Sequence, residues 1–416
     1  MNRRNPENPV LKVTLLFTST LTVMAWTMIA PALPSIQAHF AEVANVAFWV
    51  RLVLTLPALF IAAIAPIAGY IVDRIGRKTV LVISTLLYGI SGIAGYLAPT
   101  LTLLLISRAS LGIAVGALMT SVTTLIADYY AGADRGRFMG LQAGFMGLGG
   151  TVYLALGGVL ADIGWRVPFL TYSFAFVILP FILLALYEPL LGEQCAEKPP
   201  PASDPGECVA ESIRATRSIN SVRAVASPAP IRFLLFIYLV MIGSQIAFYL
   251  IPVQLPFYLQ DVTGASASQS GLAISVMTLF YALASLQYGR LASRFDHLQV
   301  LTIAFALLGA GYLLISWAGG WAIIVLGLLL AGIGMGLLIP NVSVWLADET
   351  PLQLRGRVLG GLMTALFLGQ FLSPIVGQPV SGIVGSGGLY LSAGALLLVI
   401  AALLWVMRNQ LRFLTG

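Results

Sequence analysis

One arginine stands inside an otherwise apolar run of this sequence. Arg108 follows Leu104 and precedes Gly112 and Gly116 at four-residue spacing, so these positions share one side of a helix. At 1.5 Å per residue, Arg108 lies about 10 Å from the end of its run. A guanidinium is costly at this depth, and such a residue usually faces a water-filled cavity, where it can handle anions or protons. The alternative is that its long side chain extends out of the apolar layer, as we expect for Arg51.

A short charged loop separates the second and third apolar runs. Its sequence is Gly69-Tyr70-Ile71-Val72-Asp73-Arg74-Ile75-Gly76-Arg77-Lys78. Gly69 and Gly76 allow close helix approach and a tight turn, and Asp73 can accept hydrogen bonds from the N-terminus of a neighbouring helix. Arg74 can pair with Asp128, at the end of the fourth run. Pairs of this kind can hold one conformation and release it in another. The alternative is that these charges only orient and anchor the helix ends.

The sequence contains no arrangement of residues that is typical of a catalytic or metal-binding site. Its two histidines, His39 and His297, lie in predicted loops without a catalytic partner. Cys195 and Cys208 share one polar segment, at a spacing that does not suit zinc. A phosphate-binding loop for ATP hydrolysis is missing as well. We therefore predict a protein that is not an enzyme and that uses no cofactor and no metal.

Long apolar runs must position these residues. Of the 416 residues, 59% are hydrophobic and 9% are charged, whereas soluble proteins carry about 25% charged residues. The continuous runs favour helices over the alternating strands of a membrane barrel. We therefore predict an all-α membrane protein with twelve transmembrane helices. The approximate helix cores are 13–36, 47–72, 79–98, 101–125, 137–161, 166–187, 231–258, 270–292, 298–318, 321–345, 357–381 and 388–407.

A single long polar stretch divides the chain. It predicts a first six-helix bundle over 1–187, a cytoplasmic linker over 188–230 and a second bundle over 231–416. All Lys and Arg residues except Arg51, Arg108 and Arg166 fall on one side of the predicted spans. The positive-inside rule then places both termini in the cytoplasm of a multi-pass inner (plasma) membrane protein. The net charge of +6 reflects this topology and not a nucleic-acid partner.

The two halves of the chain resemble each other at a fixed offset of 220 residues. Arginine and aspartate are rare here, so their agreement at one offset is improbable by chance. Two parallel repeats that face each other leave a central cavity, and rocking of the repeats opens it to alternate sides of the membrane. The matched positions include Gly69 and Gly289, Arg74 and Arg294, Gly112 and Gly332, Gly116 and Gly336, and Asp128 and Asp348.

The charged loop is similar to the signature G-x-x-x-D-R-x-G-R-[RK] of the major facilitator superfamily, which the chain resembles over essentially its whole length. The run around Arg108 is similar to a second motif of that family, in which the arginine serves substrate or proton handling. Pro31 and Pro34 end the first span as in the drug-efflux branch of twelve-span drug:proton antiporters. Its glycine-rich antiporter motif is broken here, because Tyr153 and Leu154 replace the Gly-Pro pair.

The loop chemistry and the resemblance together mark three sets of residues. Candidates for a conformational switch at an inner gate are Gly69, Asp73, Arg74, Gly76, Arg77, Asp128, Arg294 and Asp348. Because spans one, four, seven and ten line the cavity in this family, candidates for substrate or proton handling are Arg108, Trp26, Gln245, Tyr249 and Asn341. Candidates for helix packing are Gly112, Gly116, Gly149, Gly157 and Pro374.

The resemblance implies a secondary active transporter that works by alternating access and exports small amphiphilic compounds, with the proton as a candidate coupling ion. Asp and Glu are absent from the middle of every predicted span, which disfavours cationic substrates and weakens antiport. Two alternatives stay open: a transporter of an organic anion or metabolite with Arg108 as counter-ion, and a non-transporting membrane sensor or partner-binding protein. The expected partners are a small-molecule substrate and the lipid bilayer, and the expected oligomeric state is a monomer.

Overall fold

The computed structural model describes residues 8–188, 231–317 and 320–406, and throughout these ranges the regular elements are helical. The predicted linker lies outside the described residues, apart from Glu188. The α-helices are α1 (Pro9–Thr27), α2 (Leu33–His39), α3 (Val46–Ile75), α4 (Arg77–Leu97), α5 (Leu101–Tyr129), α6 (Gly132–Ile163), α7 (Val167–Leu170), α8 (Phe174–Ala185), α9 (Ile231–Thr263), α10 (Ala267–Ala292), α11 (His297–Ser316), α12 (Trp321–Asp348) and α13 (Leu352–Val406).

The described ranges contain 11 helical stretches that are long and apolar enough to cross a membrane. The first, Pro9–His39, joins α1 to α2 through a 3-10 turn at Ala30–Ala32, which contains Pro31 and is followed by Pro34 at the start of α2. The last, Leu354–Val406, has 53 residues, which as a straight helix would measure about 80 Å against a hydrocarbon layer of about 30 Å. Gly385 interrupts it with φ +75°, a conformation that glycine adopts without steric cost.

Glycines bring α5 close to α3, and the C-terminal half repeats this contact. A Cβ added at Gly112 would lie 2.5 Å from the carbonyl oxygen of Pro57. At the equivalent position in the repeat, a Cβ on Gly332 would overlap the carbonyl oxygen of Met277 in α10. Lipid chains provide no hydrophobic drive for helices to associate, so close backbone contact through small residues holds such helices together.

Tyrosines tie the outer helices of each half to a central one. In the N-terminal half, Tyr88 of α4 and Tyr172 donate hydrogen bonds to the carbonyl oxygens of Leu21 and Ala25 in α1. In the C-terminal half, Tyr390 of α13 donates to the carbonyl oxygen of Leu250 in α9, at 3.2 Å. A buried hydroxyl needs a partner, and these backbone carbonyls supply it. The tyrosines thereby fix the rotation of α1 and α9, which face each other between the halves.

Candidate functional site

An aromatic cluster lies where the two halves of the chain meet. The ring of Trp26 in α1 lies 5.7 Å from that of Tyr249 in α9, and Phe248 lies 6.0 Å from Tyr281 in α10. Tyr249 is buried and Trp26 is half-buried. Gln245 lies one helical turn from Tyr249 and accepts a weak hydrogen bond of 3.4 Å from the amide of Gln370. The predicted residues Trp26, Tyr249 and Gln245 therefore come together across the two halves.

A cavity of about 190 Å³ adjoins α1 within the N-terminal half. Its walls combine hydroxyl groups, an amide and three methionines, and Gln142 donates a 2.8 Å hydrogen bond to the Ser19 hydroxyl. Thioether side chains are unbranched and polarisable, so they adapt to ligands of different shape. The lining residues are Ser19, Thr22, Met119, Val122, Thr123, Met139, Gln142, Ala143 and Met146.

We call the end of the molecule that bears the charged loop the loop end, and the other the far end. At the far end, Asp162 of α6 binds the N-terminus of α10 in the other half. Its carboxylate accepts hydrogen bonds from the amides of Ala267, at 2.9 Å, and Ser268, at 3.1 Å, and from the Ser268 hydroxyl. The free amides and the dipole of a helix N-terminus favour this negative charge. The contact fastens the two halves to each other.

Arg51 forms a second contact between the halves at the far end. Its Nε donates to Gln254 Oε1 of α9 at 2.7 Å, and its guanidinium lies 4.1 Å from the centre of the Phe257 ring. A further nitrogen donates to Gln37 Oε1 at 3.2 Å. The expectation that Arg51 extends to the membrane surface is therefore wrong, because the residue is only 6% exposed. The sequence signal for this contact is an arginine and glutamines inside apolar runs, because polar side chains buried in a membrane protein usually form hydrogen bonds with one another.

The contact between α6 and the opposite half opens towards the loop end. At the far end, a Cβ added to Gly158 would lie 2.6 Å from the backbone oxygen of Ala267 in the opposite half. Near the loop end, a Cβ at Gly136, or at Gly140 and Gly144 further along, would meet no atom of the described residues within 4 Å. The space between the halves is thus closed at the far end and widens towards the loop end.

Arg108 lies inside the N-terminal half and is fully buried. It donates to the Tyr172 hydroxyl at 3.1 Å and to the carbonyl oxygen of Gly92 at 3.4 Å, and its guanidinium lies 4.9 Å from the centre of the Phe169 ring. Its Nε has no hydrogen-bond partner among the described residues. The described contacts of its guanidinium are thus all with residues of the N-terminal half. Its link to the aromatic cluster is indirect, because Tyr172 bonds the carbonyl of Ala25, next to Trp26.

The charged loop pairs differently from the sequence expectation. Asp128 Oδ2 accepts from Arg77 Nε at 3.0 Å, whereas the Arg74 guanidinium stacks on the Tyr70 ring, 4.6 Å from its centre. Arg77 holds the pairing position because it begins α4, directly beside the end of α5. Asp73 is 71% exposed on its side chain and lies 3.8 Å from Arg77.

The carboxylate that caps a helix N-terminus here is that of Glu188 and not that of Asp73. Its oxygens accept from the amides of Arg77, at 2.6 Å, and Lys78, at 2.8 Å. Gly76 makes this approach possible, since a Cβ there would lie 3.0 Å from the carboxylate, and its φ of +108° suits glycine. Lys78 in turn donates to the carbonyl oxygens of Leu183 and Leu186 at the end of α8.

The remaining predicted residues lie at the loop end of the C-terminal half. Asp348 Oδ2 lies 3.6 Å from His297 Nε2. Asn341 is fully buried and its amide binds His297, so it lies away from the aromatic cluster. Arg294 is exposed and lines a groove of about 510 Å³ between α10 and α12. Asp348 lies at the end of α12 as Asp128 lies near the end of α5, and its partner His297 stands at a position that the sequence expectation assigned to a loop.

The sequence model of the Major Facilitator Superfamily matches residues 15–264 and 237–412. The chain belongs to the Major Facilitator Superfamily. This is a family of transporters and not of enzymes, and the chain is a multi-pass membrane protein. It is 27% identical to the tetracycline resistance protein, class C, of Escherichia coli over 88% of both chains. It is 28% identical to the multidrug resistance protein MdtG of Enterobacter lignolyticus, over 89% of this chain and 85% of that protein.

Solved transporter structures share the fold of this chain. A bacterial homologue of the human lysosomal transporter Spinster, in an inward-facing and unoccupied conformation, aligns with a TM-score of 0.74 at 17% identity, over 97% of this chain and 98% of that one. The inward-open xylose transporter XylE of E. coli aligns with a TM-score of 0.72 at 16% identity, over 95% and 96%. The expected all-helical membrane fold of this superfamily is confirmed.

Proposed function

We propose that this transporter exports small amphiphilic compounds by alternating access. The observation that supports this proposal is the space between the halves. Asp162 and Arg51 close this space at the far end, and it widens towards the loop end. We assign the loop end to the cytoplasm of the inner membrane, together with both termini, following the distribution of Lys and Arg. The structure then corresponds to an inward-open state that can load from the cytoplasm. Export requires the two far-end contacts to break.

We further propose twelve spans in two six-helix bundles. Counting the interrupted helix α13 as two spans, divided at Gly385, adds one to the 11 stretches of the described ranges. Residues 1–187 and 231–416 then form the two bundles, and 188–230 forms the linker. The repeated contact between α3 and α5, and between α10 and α12, supports this division.

We call the region where the two halves meet, around Trp26 and Tyr249, the seam. The side chains around the seam favour an amphiphilic substrate. The aromatic cluster offers flat apolar surfaces beside the Gln245 amide, and the adjoining cavity offers methionines beside hydroxyl groups. Such surfaces bind a substrate through apolar contact and a few hydrogen bonds. The cavity lining contains no carboxylate to attract a cation. Resistance to tetracycline and to multiple drugs, which the names of two relatives record, fits this substrate class.

The organic-anion alternative would need Arg108 to reach the substrate. The described contacts of Arg108 are with residues of its own half, and its side chain is fully buried. Arg108 therefore acts on α1 through Tyr172 and not as a counter-ion in the seam. The sensor alternative differs from a transporter in showing no substrate flux, so the flux measurement below separates the two.

The proposal is tested by flux of a fluorescent amphiphile in proteoliposomes. Trp26→Ala and Tyr249→Ala remove the two facing rings, and we expect each to lower flux at least tenfold, whereas Tyr249→Phe keeps the ring and the flux. Trp317→Ala is the matched control, because Trp317 is a tryptophan that is 76% exposed at the end of α11. Wild-type flux in both ring deletions would contradict the assigned substrate path.

The proton is the coupling ion that the resemblance to drug:proton antiporters implies. An outward-directed substrate flux should then rise when the proton concentration is raised on the side opposite the substrate. If an imposed pH gradient leaves flux unaltered, the transporter is a facilitator or uses another ion.

A further inference from the structure

The ion pair between Arg77 and Asp128 has a counterpart in the C-terminal half. The repeat offset that carries Asp128 to Asp348 carries Arg77 to His297. The structure pairs both sets: Arg77 Nε lies 3.0 Å from Asp128 Oδ2, and His297 Nε2 lies 3.6 Å from Asp348 Oδ2. An arginine is always charged, whereas a histidine changes its charge between about pH 5 and 8. One half therefore holds a permanent cation where the other holds a titratable one.

The neighbours of the His297 ring define which nitrogen carries a hydrogen. Asn341 Nδ2 donates to the backbone oxygen of His297 at 2.8 Å, so the amide oxygen of Asn341 faces the ring. His297 Nδ1 lies 3.1 Å from this oxygen, and the Tyr288 hydroxyl donates to the same oxygen at 3.3 Å. Nδ1 must therefore carry a hydrogen. A neutral ring would then turn the lone pair of Nε2 towards Asp348, whereas a second proton makes the ring a cation whose Nε2 lies 3.6 Å from the Asp348 carboxylate.

The other groups around the ring also favour a cation. Trp345 of α12 stacks on His297 with an interplanar angle of 11° and a centroid distance of 5.7 Å, and an indole face attracts cations. Asp296 precedes the ring on its own helix and caps the amide of Gln299. The α9 helix contributes the aromatic rings of Phe233 and Phe236 against Trp345. Arg290 donates to Gln287 Oε1 and Arg355 donates to the backbone oxygen of Thr350, whereas Arg294 precedes His297 by three residues and is exposed.

We propose that His297 and Asp348 form a proton-binding site at the loop end of the C-terminal half. The proton comes from water on that side and is held on Nε2, where it completes the bridge from α11 to the end of α12. Acidification on that side strengthens the ion pair between His297 and Asp348, and alkalinisation weakens it. The ion pair between Arg77 and Asp128 in the other half does not change over this pH range. The site is independent of whether a proton drives transport.

Histidine nuclear magnetic resonance of the full-length protein in nanodiscs tests the site directly. The chain has two histidines, so ¹⁵N-histidine labelling gives two ring systems, and His39→Gln assigns them. We expect the neutral ring of His297 to be the Nδ1–H tautomer, because Nδ1 faces the amide oxygen of Asn341. Asp348→Asn should lower the ratio of charged to neutral ring at a given pH roughly threefold, the factor typical of an exposed ion pair. An Nε2–H tautomer, or an unchanged ratio in Asp348→Asn, would overturn the proposal.

A stability measurement tests the consequence for the helices. His297→Arg copies the residue of the N-terminal half, and we expect its melting temperature to vary less with pH than that of wild type, with the gap between the two widening from pH 6 to pH 8. An equal pH dependence of both proteins would overturn the proposed role of the bound proton. Neither experiment measures transport, so a failure of the proposed function would leave their outcomes unaffected. The resonance experiment does not depend on whether His297→Arg folds.

Discussion

Asp162 provides the sharpest test of alternating access, because one carboxylate fastens α6 to α10 in the opposite half. Asp162→Ala removes two amide hydrogen bonds and one hydroxyl hydrogen bond. Capping a helix N-terminus contributes about 1 kcal/mol, and a charge at that end adds about 0.3–1 kcal/mol when exposed. Asp162 is exposed, so we take the loss as about 1–2 kcal/mol. That loss shifts the ratio of outward-open to inward-open molecules about five- to thirtyfold.

Two spin labels at the far end measure this shift. Glu42 and Val262 are exposed positions in the two halves, and cysteines there, with Cys195 and Cys208 replaced by serine, report the separation of the halves by pulsed dipolar spectroscopy. We expect a new population at longer distance in Asp162→Ala and a smaller one in Asp162→Asn, which keeps one acceptor oxygen.

Asp134→Ala is the matched control for Asp162→Ala, because Asp134 is an exposed acid of the same helix whose described ion pair is with Arg137 in that helix. Its distance distribution should match that of wild type. If Asp162→Ala gives the same distribution as Asp134→Ala, the carboxylate does not hold the far end closed, and the reasoning from helix capping fails.

Three further predictions concern contacts inside and between the halves. Arg51→Lys keeps the charge but loses the Nε donor, so the far-end distance assay should show a few-fold rise of the open population. Gly112→Ala forces a Cβ against Pro57 and should destabilise the fold by about 1–3 kcal/mol, measured as a lower melting temperature, whereas Gly136→Ala should change little. Arg108→Met puts an apolar chain in place of a buried charge that has no carboxylate partner among the described residues, and the melting temperature should stay unchanged or rise.

The close helix contacts could be predicted from residue spacing. Gly112 and Gly116 recur four residues apart on α5, and the repeat carries the pattern to Gly332 and Gly336. Small residues at that spacing place one helix backbone against another in a membrane, whatever the rest of the fold does. The pairing partners of the charged loop were not predictable in the same way. Arg74 directly follows Asp73 and Arg77 lies four residues after it, and only the direction of α4 decides which of the two arginines reaches Asp128.

An all-helical membrane protein with an internal repeat follows from the amino-acid sequence, because apolar length, composition and residue offsets are properties of the chain alone. Which polar groups meet depends on the folded arrangement, which pairs Arg51 with Gln254, Glu188 with the start of α4, and Asn341 with His297. The folded arrangement also decides which end of the seam is closed. These outcomes depend on helix rotations and separations of a few ångströms, and a hydrogen bond is lost over such distances while the hydrophobic pattern stays the same.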